Sequence, residues 1–350
     1  MLTKLAAIIP ACEHDKQEGK EDAIMRKPYN ELYTYWLESS FLDETTKSQL
    51  SAIKDNPKEI EERFYRDLEF GTGGMRGIIG AGTNRMNIYT VRRAAQGLAD
   101  YVLENNGTQN GVVIGYDNRQ CSDVFAMECA RVLIANGIKV YLFDTIHSTP
   151  EVSFAIRYYK AAAGIMITAS HNPKEYNGLK GYGADGGQFP PEASDMIVKV
   201  INSYDIFTDI KIVSNEEIDK SGLLTMIGEE VDEEFLRAVQ LQSINPESVA
   251  QVADTFKLVY TPFHGTGLRP VTKILERIGF KHVLVVPEQA IADPTSPTVV
   301  SPNPEDKEGF KMAIDLAKAN SVDVIIGTDP DADRVGVVTV DSSGEYQVLT

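Results

Sequence analysis

Short, almost wholly apolar runs alternate with stretches of helical spacing along most of this chain, and that alternation constrains the fold more than any other feature. VVIGYD (112–117), KVYLFD and AGIMITA (163–169) each suit one buried strand and are too short for a core helix. Residues 90–105 read as a helix, and SDVFAMECARVLIANG as another that stops at Gly137. Thr149 as N-cap with Pro150 at the first helical position opens EVSFAIRYYKA. The order βαβαβ requires crossover helices and predicts an α/β layer with largely parallel strands.

A polar, acidic stretch around 200–232 (DIFTDIKIVSNEEIDKSG) interrupts the pattern, which then resumes. FKLVYTP, HVLVVPE, VDVIIGT and VGVVTVD read as strands, and GLRPVTKILERIG and EDKEGFKMAIDLAKANS as helices. The Pro-rich IADPTSPTVVSPNPED reads as a surface loop. Upstream, YNELYTYWLESSF and DNPKEIEERFYRDLEF place aromatics and leucines at helical spacing, the second starting near Asp55–Pro57. The expected architecture is α/β: two similar α/β/α three-layer domains with mixed, largely parallel sheets, plus an N-terminal helical extension. The expected boundaries are 1–60 for the extension, 61–205 for the first domain and 206–345 for the second. A length of 350 residues suits two domains, each able to bury its own core.

Lys and Arg number 34 against 51 Asp and Glu, a net charge of −17. So acidic a chain repels polyphosphates and anionic lipid, so neither nucleic acid nor a membrane is an expected partner. A small anionic ligand would need local, deliberate cations. The cysteines, Cys12, Cys121 and Cys129, form no C-x-x-C and no disulfide framework, which fits reduced thiols in a cytoplasmic protein. MLTKLAAIIPAC lacks a signal-peptide layout, and no run approaches the ~20 apolar residues that span a bilayer.

In open α/β sheets ligands sit beyond the carboxyl ends of strands. Three such ends carry unusual chemistry here: TASHNP, PFHGTG and DPDADR. In the last, Asp329, Asp331 and Asp333 can converge from extended backbone, and converging carboxylates favour a hard cation such as Mg²⁺ or Ca²⁺. An EF-hand is excluded, because Arg334 and Val340 stand where its Gly and Glu belong. The bland alternative is a solvated acidic turn. Ser170, in Thr168-Ala169-Ser170-His171-Asn172-Pro173, is either a capping serine or a phosphoryl carrier. A Ser–His dyad does not follow from adjacent residues, and no G-x-S-x-G is present. Lys180 in NGLKG is either an exposed lysine or a charge-neutralising, proton-shuttling one. GTGGMRG is neither a dinucleotide fingerprint nor a P-loop. Its backbone could approach a phosphate, with Arg76 as a bidentate donor, or be an ordinary loop. His264, at a glycine turn before a helix, is either an anion-site residue or a satisfied structural histidine.

Together, TASHNPKEYNGLK, GTDPDADRVGV and GTGGMRG resemble the phosphoserine loop, metal loop and first arginine loop of the α-D-phosphohexomutases, in matching order. The extension and the GTGGMRG form look most like the phosphoglucomutase/phosphomannomutase branch. The resemblance implies that Ser170 carries phosphate and contributes an oxygen to one Mg²⁺, with Asp329, Asp331 and Asp333 as the other ligands. It implies that Arg76, Lys180 and Arg334 hold phosphate, that Lys180 is a general acid/base, and that His171 and His264 belong to the site. The implied reaction interconverts hexose 1-phosphate and hexose 6-phosphate through a phosphoserine, with a hexose 1,6-bisphosphate as intermediate and activator and a sugar phosphate as the small-molecule partner. The family has four domains, and this sequence reads as the first two, without a sugar-recognition loop. The alternatives are a haloacid-dehalogenase-like aspartyl phosphotransferase, suggested by VDVIIGTDPD, and a non-catalytic phosphosugar- or metal-binding unit.

Overall fold

Val112, Val113 and Ile114 are all fully buried, because the strand they form is covered on both faces. In the computed structural model, which describes residues 26–349 other than Thr72 and Asp323, this strand is an interior one of a seven-stranded sheet. In chain order the first unit comprises α1 (Tyr29–Glu38), α2 (Glu44–Ala52), α3 (Pro57–Phe64), β1 (Phe70–Gly71), β2 (Gly74–Ile78), α4 (Ile88–Glu104), β3 (Val112–Tyr116), α5 (Ser122–Ala135), β4 (Val140–Phe143), α6 (Thr149–Tyr158), β5 (Ala163–Ile167), β6 (Tyr176–Gly183), α7 (Pro191–Ile201), α8 (Asn215–Ser221) and β7 (Leu224–Ile227). The second comprises α9 (Glu229–Gln240), α10 (Pro246–Val252), β8 (Lys257–Thr261), α11 (Leu268–Arg277), β9 (His282–Val285), α12 (Lys311–Asn320), β10 (Val324–Thr328), β11 (Val335–Val340) and β12 (Tyr346–Leu349).

The sheets run β1-β2-β6-β5-β3-β4-β7 and β12-β11-β10-β8-β9. Pleat alternation feeds two core layers per sheet. Val112 and Ile114 face α4, α5 and α7, whereas Val113 faces α6. In the second sheet Val259 and Ile325 face α12, whereas Leu258 and Tyr260 face α11. Both domains are therefore α/β/α, as expected. The parallel strands β5, β3, β4 and β7 are flanked by the antiparallel β6, β2 and β1.

Two expectations need correction. β7, placed in the second domain by sequence, pairs in parallel with β4 and so belongs to the first sheet, which moves the boundary past residue 205. The N-cap of α6 is Ser148, which forms a capping box with Glu151, so Thr149 is the first helical residue. Of the extension, residues 1–25 lie outside the described residues. Its described helices pack Trp36 and Phe64 against Tyr89 of α4 and against Phe207, which fastens them to the first domain. Among the described residues no helix is long and apolar enough to cross a membrane.

Candidate active site

The loop after β5 and the loop after β10 face each other across the domain interface. Ser170 has φ 53° and is 2% exposed. A left-handed φ costs a non-glycine residue about 1 kcal/mol or more and persists only where the surroundings over-determine it. Here the Ser170 N–H donates to Thr168 Oγ1 at 2.8 Å, and the hydroxyl donates to Asp329 Oδ2 at 2.8 Å. The other Asp329 oxygen accepts the Arg334 N–H at 3.0 Å.

Lys180 lies on β6, whose register with β2 pairs Arg76 with Gly178. A Cβ at Gly178 would lie 2.6 Å from Thr168 O and 2.7 Å from Met75 O, so only glycine lets the three strands meet there. Lys180 Nζ is buried and donates to Asp331 Oδ2 at 2.7 Å and to Asp333 Oδ2 at 2.9 Å. Thr149 Oγ1 donates to the same Asp331 oxygen at 2.8 Å, and the Thr149 N–H to the Asp331 carbonyl at 2.9 Å. The first turn of α6 thus holds the aspartate loop of the other domain.

Asp329, Asp331 and Asp333 each bring a carboxylate oxygen within 4.8 Å of the others. Asp331 Oδ1 is buried and has no hydrogen-bond partner, an arrangement that costs free energy unless a cation completes it. The all-oxygen donor set and this orphaned atom fit a hard divalent cation. Burial and then the charge of Asp331 push the Asp329 carboxyl above its usual range. Burial acts the same way on Asp331, but the Lys180 ammonium outweighs it and holds that carboxyl low. Burial would lower Lys180, and the Asp331 charge more than reverses this, which keeps the ammonium protonated. His171 Nδ1 lies 3.3 Å from Ser170 Oγ. Burial, then Arg334 and Arg76, hold the imidazole below its ordinary value and so neutral.

Arg76 is exposed and reaches Asn172 Oδ1 at 3.2 Å, at the rim of the serine loop. The Arg334 side chain is half-exposed, 3.7 Å from Glu305. His264 is corrected. Its ring is 1% exposed, with Nδ1 against Ile291 O and Nε2 against Thr298 Oγ1, both at 2.8 Å. No ring nitrogen remains for a phosphate, so the side chain pins the Pro-rich loop. Its glycine turn has a structural role, since Thr266 donates through N–H and hydroxyl to Pro330 O inside the aspartate loop. Sequence reasoning missed Thr149 as a partner of Asp331, and missed Arg119. Both follow strand ends, β4 and β3, so the rule that singled out three loops also covers these two.

The architecture agrees with the comparisons. The family description "Phosphoglucomutase/phosphomannomutase, alpha/beta/alpha domain I" matches residues 67–206, and "alpha/beta/alpha domain II" of the same family matches residues 233–342. The chain belongs to the phosphoglucomutase/phosphomannomutase family. A phosphoglucomutase of Staphylococcus haemolyticus (strain JCSC1435) is 40% identical over 285 residues, covering 81% of this chain and 51% of the relative. One from Staphylococcus epidermidis (strain RP62A) is 38% identical over 313 residues, covering 88% and 56%. The chain therefore spans about half the length of the curated relatives it matches. A crystal structure from Thermus thermophilus, named for phosphomannomutase, aligns over 78% of this chain and 57% of its own, with TM-score 0.65 and 27% identity.

Proposed function

We propose that this chain carries the phosphoserine and metal loops of a phosphohexomutase that interconverts hexose 1-phosphate and hexose 6-phosphate. The observation that carries the reading is the convergence of Ser170, Lys180 and the three aspartates from two separate sheets on one spot, buried except at Asp333. In this reading Ser170 Oγ holds the phosphoryl group. The P–Oγ bond breaks as a sugar hydroxyl forms a new P–O bond, and transfer of the sugar's other phosphate to Ser170 completes the exchange.

Lys180, held protonated, supplies a proton to Ser170 Oγ as the P–Oγ bond breaks and takes it back when that bond re-forms, and neutral His171 accepts the proton that the attacking sugar hydroxyl loses. Arg76 and Arg334 stand at the rim where a phosphate would enter. Asp329, Asp331, Asp333 and Ser170 would hold Mg²⁺, which when bound offsets negative charge on the transferring group. Hexose 1,6-bisphosphate serves as the phosphoryl donor that charges the serine. The aspartyl-phosphotransferase alternative finds no support in the matched relatives.

The test is incubation of the chain with glucose 1,6-bisphosphate and Mg²⁺. The expected result is release of glucose monophosphate with one phosphoryl group gained per chain, and neither from Ser170→Ala. Equal phosphate uptake by Ser170→Ala would exclude the serine as carrier. No uptake by the unmodified chain would favour the non-catalytic reading.

A further inference from the structure

Arg119 occupies a place that the chemistry above does not use. It sits in the turn after β3, is 7% exposed, and lies behind the serine loop. Nη2 donates to the Ser170 carbonyl at 2.6 Å and the Asn172 carbonyl at 2.7 Å. Nη1 donates to the Pro173 and Tyr176 carbonyls, both at 3.0 Å. Nε lies 3.4 Å from Asp117 Oδ2 without a hydrogen bond, so four of the five guanidinium N–H donors are committed to loop carbonyls and the fifth faces the carboxylate as an ion pair. No other side chain supplies five donors in one rigid plane, and a lysine supplies three.

The four carbonyls span residues 170–176, the segment that contains the left-handed Ser170. The clamp is itself anchored. Asp117 Oδ1 accepts the Arg119 N–H at 3.0 Å and the Ser122 hydroxyl at 2.8 Å, which ties it to the start of α5. The residue between them, Asn118, donates across the interface to the carbonyls of His264 at 2.8 Å and Asp293 at 3.2 Å. One three-residue turn therefore grips the serine loop on one side and the second domain on the other.

We propose that Arg119 is a positioning residue for phosphoryl transfer: its guanidinium fixes the strained serine loop so that Ser170 Oγ meets the aspartate loop of the second domain. The proposal rests on reading Ser170 as the phosphoryl carrier. Arg119 touches only backbone carbonyls and Asp117, so it acts through the loop, and its loss lowers the rate by letting Ser170 leave the reactive geometry.

The test compares Arg119→Lys with the unmodified chain in two measurements: amide hydrogen exchange of residues 169–176, and the rate at which glucose 1,6-bisphosphate with Mg²⁺ phosphorylates Ser170. Arg119→Lys is expected to speed loop exchange and slow phosphorylation by about tenfold or more each, with exchange in α4 and α12 unchanged. Arg93→Lys, at a buried arginine paired with Asp67 away from the loop, is expected to move neither. A purely structural role for Arg119 would change exchange throughout the domain and leave the loop no more affected than its neighbours. If Arg119→Lys does not fold, Asp117→Ala, which keeps the guanidinium but removes the Oδ1 acceptor that anchors it, is read by the same two measurements. Loop exchange or phosphorylation rate within about twofold of the unmodified chain overturns the proposal. If the unmodified chain takes no phosphate on Ser170, the phosphoserine reading fails and loop exchange alone decides the role of Arg119.

Discussion

Ser170 and Asp329, 159 residues apart, meet through a 2.8 Å hydrogen bond between two sheets that share no strand. Neither domain alone contains the site. Its geometry depends on whatever fixes one domain against the other.

Lys180 is the cation on which buried Asp331 and the more exposed Asp333 depend. Lys180→Met leaves Asp331 and Asp333 facing each other without it, and removing one partner of a buried pair costs about 3–5 kcal/mol. Urea unfolding in excess chelator should show a loss in this range, and Mg²⁺ should restore much of it by binding the folded state. A loss under about 1 kcal/mol would mean that the carboxylates do not need the ammonium.

Gly265 lets the second-domain turn lie against the aspartate loop. A Cβ there would lie 2.4 Å from Pro330 Cα and 2.5 Å from Pro330 O, backbone atoms of the segment that carries Asp329 and Asp331. Gly265→Ala should cost about 1–3 kcal/mol and weaken Mg²⁺ binding measured by calorimetry, because the ligands move with the loop. Unchanged Mg²⁺ affinity would show that the loop absorbs the methyl without moving its carboxylates.

The helical extension is held by Trp36, which is fully buried in edge-to-face contact with Phe64, Tyr89 and Phe207. Trp36→Ala should cost about 3–5 kcal/mol in chemical denaturation. Protease sensitivity of α1–α3 should rise before that of the two sheets does. Equal sensitivity throughout would mean that the extension is integral to the domain core.

The almost wholly apolar strands β3, β4 and β5, and the buried LVYT of β8, were legible because burial on both faces leaves no polar alternation. Helix ends with a strong chemical signal were legible too: Asn56–Pro57 starts α3, and Gly137, at φ 73°, follows the end of α5. β6 was not. Its YNGLKGYG reads as a loop by propensity, yet Gly178 is there so that two neighbouring backbones can approach and Gly181 makes room for the Phe189 ring. β7 was misplaced because a partly exposed edge strand of four residues carries little apolar signal. Ser170 and the aspartates were legible as motifs, whereas Thr149 acts through a contact that only the assembled interface creates, and Arg119 through backbone carbonyls of a loop about 50 residues away. His264 shows the converse, since a histidine at a glycine turn gives no sign of whether its own loop satisfies it.

Asp232 makes the interface sensitive to acid. It is buried, with Oδ1 at 2.9 Å from His147 Nε2 and Oδ2 paired with Arg269, so it joins the approach to α6 with α9 and α11. Burial would raise its carboxyl, but the His147 hydrogen bond and the charge of Arg269 outweigh this and hold it low. A lowered folded-state value contributes stability above the unfolded carboxylate value of about 4, which is lost as pH falls through the folded value. The stability difference between the unmodified chain and Asp232→Asn should be steady from about pH 8 to about pH 5 and shrink below about pH 4. A difference that grows on acidification would reverse the assignment.

The central claim is that Ser170, and no aspartate, receives the phosphoryl group. Peptide mapping after incubation with glucose 1,6-bisphosphate and Mg²⁺ tests it most directly. An acid-stable phosphate is expected on the peptide containing Ser170, lost in Ser170→Ala and retained in His264→Ala. An acid-labile acyl phosphate on Asp329, or label that persists in Ser170→Ala, would contradict it.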